Sequence, residues 1–101
     1  MGDVWLGKVE VLIGPQCTLD LDGAGAFVWF ATQASNEEEF IQKVGKTAEG
    51  YGLIPIEFEN VHRVGDVTES GEEHFEIVTR AEENSNYVIY GTFHTFLFHE
   101  S

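Results

Sequence analysis

The chain has 101 residues, 43% hydrophobic and 13% aromatic, with 18 Asp and Glu against five Lys and Arg for a formal charge of −13. That composition specifies one folded domain with a real core and excludes disorder. Its charge excludes nucleic acid and anionic membranes as partners, because binding to phosphate relies on Lys and Arg.

The longest apolar run, "AGAFVWFA", falls far short of the roughly 20 residues that a membrane-crossing helix needs. "MGDVWLGKVE" lacks the basic and apolar segments of a secretory signal. The lone Cys17 has no internal disulfide partner. A cytoplasmic protein is expected.

In chain order, residues 4–13 alternate, with Trp5, Val9, Val11 and Ile13 on one face and Lys8 and Glu10 on the other, the pattern of a half-buried strand. Pro15, Gly23 and Gly25 mark the turn that follows. Residues 26–33 read as a second strand, apolar on both faces and therefore central. Residues 35–52 read as a helix. Ser35 with Glu38 fits a capping box, Glu37, Glu38 and Glu39 crowd the first turn, and Phe40, Ile41, Val44, Ala48 and Tyr51 form one apolar stripe. Gly45 lies inside it at a cost of ~1 kcal/mol against Ala, which implies close packing of helix on sheet.

Residues 53–64 return as a third strand, with Pro55 at its start or on an edge. Residues 68–84 fit two patterns. As a helix, Ser70 caps with Glu73, Glu76 pairs with Arg80, Asn84 closes the last turn, and His74, Ile77, Val78 and Ala81 face the core. As a strand, Phe75, Ile77 and Thr79 alternate with Glu76, Val78 and Arg80. The acidic first turn favours the helix. Residues 87–98, aromatic and β-branched, read as one long strand.

The order is ββαβαβ, or ββαβββ if the fifth element is a strand. Either is an α+β domain: a mainly antiparallel sheet of four or five strands with one or two helices packed on one face. A sheet face left bare, or an edge of the last strand, would support a homodimer.

Catalytic and metal-binding signals are weak. His94 and His99 stand five apart, so a regular strand points them to opposite faces and His94 shares its face with Tyr90, Thr92, Phe96 and Phe98. No pair among His62, His74, His94 and Cys17 has zinc-site spacing. Asp20 and Asp22 in "DLDGAG" lack the remaining ligands of a calcium loop, and its glycines lack the rest of a dinucleotide fingerprint. Glu57 and Glu59 share a strand face, but such pairs arise by chance in so acidic a chain. No catalytic residue, metal or cofactor is therefore assigned.

The acidic surplus falls in three groups: Glu37, Glu38 and Glu39; Glu57 and Glu59; and Glu69, Glu72, Glu73 and Glu76. The first and third are expected to begin neighbouring helices and to offer a surface to Lys and Arg of a partner. In size and charge this format is similar to that of bacterial immunity and inhibitor proteins, which block basic toxins or nucleases. The expected function is non-catalytic binding of a basic protein partner. Two alternatives are a small metal-binding or enzymatic domain using His94 with His62 or His74, and a homodimeric structural subunit.

Overall fold

The computed structural model describes residues 3–18, 23–64, 71–84, 87–91 and 93–96, with the backbone alone for 71–75 and 96. The elements run β1 (Asp3–Ile13), β2 (Gly25–Ala34), α1 (Glu37–Gly50), β3 (Leu53–Arg63), α2 (Gly71–Glu83), β4 (Ile89–Tyr90) and β5 (His94–Phe96). Residues 71–83 thus take the helical alternative. The sheet is antiparallel throughout, in the order β3-β1-β2-β4, and β5 also pairs with β2. This is the expected α+β fold, ββαβαβ with its last strand divided in two, and β1 and β2 are central.

The two central strands bury both faces. On one, Val9 stands opposite Val28 and Val11 opposite Ala26, and Phe40, Val44 and Ala48 of α1 close over them. On the other, Leu6 stands opposite Ala31, and Val4, Leu6 and Ala31 pack against Ile77, Val78 and Ala81 of α2. The helices therefore take opposite faces of the sheet rather than sharing one. Apolar Val4 and Leu6 supply the second seat, which ends where Lys8 and Glu10 make the same face polar. Burial of a side chain such as Phe40, fully enclosed here, stabilises by roughly 1.5–3 kcal/mol.

The start of α1 lies one residue later than its capping pattern suggests. Asn36 is the N-cap, accepting from the Glu39 N–H at 2.8 Å, while Glu39 Oε1 accepts from the Ser35 N–H at 3.2 Å. At the other end the Tyr51 and Gly52 N–H groups bond to Ala48 O and Glu49 O. Gly52 has φ +80°, and a Cβ there would fall 2.6 Å from Cys17 Cα, so only glycine lets the chain reverse against the loop after β1.

The packing role assigned to Gly45 belongs to a different glycine. A Cβ at Gly45 would meet nothing within 4 Å, whereas one at Gly7 of β1 would lie 2.9 Å from both Phe40 Cε1 and Val61 Cγ2. The strand yields to the helix here, because Phe40 is the large group and needs the space.

β3 borders the sheet on one side. Pro55 sits on it as expected, and register shifts interrupt its pairing with β1 between Leu6 and Lys8 and between Glu10 and Val11. Asn60, at the first shift, has φ 53°. A proline and two bulges are devices that blunt an edge against further pairing.

The long strand expected over 87–98 is divided. Phe30 pairs with Tyr90 but Phe27 pairs with His94, so the register along β2 slips by one residue between β4 and β5. The one-residue slip puts Tyr90 and His94 on opposite faces. Tyr90 turns toward α1, where its ring meets those of Phe30, Tyr51 and Phe93 edge-on. The shared face expected for His94 and Tyr90 is thereby corrected. Thr92, Phe98 and His99 lie outside the described residues, as does the side chain of Phe96.

Candidate functional site

The histidine constellation does not assemble between His62 and His94. His62 pairs with Leu6, and His94 with Phe27, itself opposite Glu10. Four residues along and three strands across amount to about 20 Å. Both are exposed, and His62 Nδ1 is engaged with Asn60 O at 2.7 Å. His74 lies on α2, with its side chain outside the described residues. Among the described residues no three His, Cys, Asp or Glu side chains gather as a metal site would require.

The acidic groups are distributed by the helices. Glu37, Glu38 and Glu39 are exposed on the first turn of α1, where N–H groups without intrahelical partners and the helix dipole favour carboxylates. Glu69 lies outside the described residues, as do the side chains of Glu72 and Glu73. Glu76 is exposed and bound to Arg80 at 2.8 Å, one turn on. On β3, Glu57 is exposed and Glu59 lies 3.9 Å from Lys8.

The first and third groups do not begin neighbouring helices, since α1 and α2 cover opposite faces. Instead Gln33, near the end of β2, donates to Ala81 O at 3.0 Å and Glu82 O at 3.1 Å, which fixes the last turn of α2 beside the chain leading into α1. The first turn of α1 thus shares an end of the sheet with Glu82 and Glu83, both exposed.

The positive side chains are largely used within the fold. Lys8 meets Glu59 and the Phe27 ring, Lys43 donates to Gln33 O at 2.6 Å, Arg63 meets Asp3 at 3.4 Å and Arg80 meets Glu76. Only Lys46 of the five is left without a described partner, exposed on α1. The negative surface therefore has little to screen it.

Two open depressions flank α1. One, of about 470 Å³, lies at its start and is lined by Asn36, Glu37, Glu38, Ile41 and Gln42. The other, of about 270 Å³, lies at its end, between Gly14, Pro15, Gln16, Glu49, Gly52 and Ile54. Sequence reasoning passed over Glu49 and Ile54. The signal was present in the last turn of α1, which carries a glutamate and no basic residue, the reverse of what the dipole favours. No helix among the described residues is long and apolar enough to cross a membrane. Comparison with family models, curated proteins and solved structures finds no match for this chain.

Proposed function

We propose that this chain is a non-catalytic acidic domain that docks on a basic protein, in the manner of an immunity protein or inhibitor neutralising a cytoplasmic toxin or nuclease. One observation carries the reading: four of the five Lys and Arg side chains are engaged by groups of this same chain, while exposed carboxylates remain at both ends of α1 and at the end of α2. Their summed field accelerates encounter with a cationic surface and sets the orientation of approach.

The test uses three labelled peptides of equal length, one arginine-rich, one neutral and one acidic, titrated with the protein. Saturable one-to-one binding is expected for the arginine-rich peptide alone, weakening roughly tenfold or more as salt rises from ~20 to ~200 mM. Glu37→Lys with Glu38→Lys should slow association several-fold while thermal unfolding shows the variant folded; Glu39 is spared because it holds the Ser35 N–H. Equal binding of the neutral peptide, or no saturable binding, refutes the proposal.

A further inference from the structure

Glutamates at a helix start are accounted for by the helix itself; a glutamate at a helix end is not. Glu37, Glu38 and Glu39 belong to the first kind. Glu49 belongs to the second, as do Glu82 and Glu83 at the end of α2, but only Glu49 borders one of the two depressions. It stands in the last turn of α1, where the carbonyl end of the dipole is already negative, that turn holds no basic residue, and Glu49 makes no ion pair among the described residues.

What lies beside Glu49 gives the placement a use. The depression at the end of α1 has the side chain of Ile54, 49% exposed, on its wall. Its floor is backbone, with the Gly14 N–H bonded to Gly52 O at 3.1 Å and approaching so closely that a Cβ on Gly14 would fall 2.7 Å from that oxygen. An apolar wall, a carboxylate rim and the negative end of a helix dipole match a side chain with an aliphatic stem and a cationic tip.

We infer that the depression bounded by Glu49, Ile54, Pro15 and Gln16 is the seat for one anchoring lysine or arginine side chain of the basic partner. This rests on the binding function proposed above and adds the place of contact: the field of the whole molecule governs approach, and this seat governs retention. A site that holds one long side chain in a formed hollow, surrounded by weaker contacts, is the usual anatomy of a protein interface.

The probe is the same arginine-rich peptide, added to uniformly ¹⁵N-labelled protein and followed by amide shifts at low salt. Saturating shifts should concentrate at Gly14, Glu49, Gly52 and Ile54. Glu49→Gln and Ile54→Ser should each weaken binding ~3-fold or more, with the unfolding midpoint of Glu49→Gln near the parent's and that of Ile54→Ser, a half-exposed side chain, lower by only about 5 °C. Glu38→Gln, at the other end of α1, should weaken it less. Shifts centred on Glu37 and Glu38, or equal losses from Glu38→Gln and Glu49→Gln, overturn the seat while leaving the acidic-binding function standing. Absence of any saturable binding to the peptide overturns both.

Discussion

Gly7→Ala measures how tightly α1 is pressed onto the sheet. The added methyl would lie 2.9 Å from Phe40 Cε1, 2.9 Å from Val61 Cγ2 and 3.1 Å from Phe40 Cζ, against an ordinary contact of 3.4 Å or more. Phe40 and Val61 must each retreat by about 0.5 Å (3.4 − 2.9). Phe40 is fully buried among Val9, Val28 and Val44, so its ring has no free direction. Overpacking of this kind costs roughly 1–3 kcal/mol, and replacing a strand glycine recovers about 0.5–1 kcal/mol of chain entropy. The net loss is about 0–2.5 kcal/mol and centres near 1 kcal/mol, which lowers the thermal midpoint by roughly 4–8 °C in a domain of this size. Urea unfolding followed by tryptophan fluorescence gives the free energy, and an unchanged m-value shows that the same transition is observed. Phe40→Leu supplies the decisive cycle. A smaller side chain should accept the methyl, so the double variant should lose at least ~0.5 kcal/mol less than the two single losses added. Strict additivity with Phe40→Leu, or a Gly7→Ala variant more stable than the parent, would show that the helix is not held down on this residue.

Gly45→Ala should do the opposite and stabilise by about 0.5–1 kcal/mol, since nothing lies within 4 Å of the new methyl; a destabilised variant would reveal a contact at that spot. Asn36→Ala should cost ~1 kcal/mol by removing the acceptor for the Glu39 N–H. Ser35→Ala should be nearly silent, because Ser35 contributes its backbone N–H, and denaturant midpoints of the two variants should be ordered accordingly. Among the described residues the buried Trp5 Nε1 has no hydrogen-bond partner, a condition costing roughly 1–3 kcal/mol. Trp5→Phe removes that cost along with some apolar area, so its stability should stay within about 1 kcal/mol of the parent. A loss well above ~2 kcal/mol would mean that the indole N–H is satisfied.

The fold was legible wherever periodicity met chemistry. The Phe40, Val44 and Ala48 stripe marked the buried side of α1, and Ile77, Val78 and Ala81 marked that of α2, because a helix must bury a face to persist. The cap was displaced by one residue because Ser35 with Glu38 and Asn36 with Glu39 satisfy the same pattern, and local sequence does not choose between them. The opposite placement of the helices was hidden in Val4 and Leu6, two residues too few to override the polar Lys8 and Glu10 on the same side of the strand. Which glycine accepts a neighbour is a property of the fold: Gly45 and Gly7 look alike until α1 is laid across β1. The acidic groups were visible as composition, but which of them helix geometry explains and which it penalises emerged only when Glu49 was found in a last turn.

The extra residue between Tyr90 and His94 makes the end of the sheet behave like a reading frame. Removing one residue between Tyr90 and His94 would bring the two strands into a single register and make His94 and Thr95 trade sides, carrying the imidazole to the α1 layer and the hydroxyl away from it. An insertion or deletion at this corner therefore rewrites the chemistry of both surfaces downstream without altering a single side chain there.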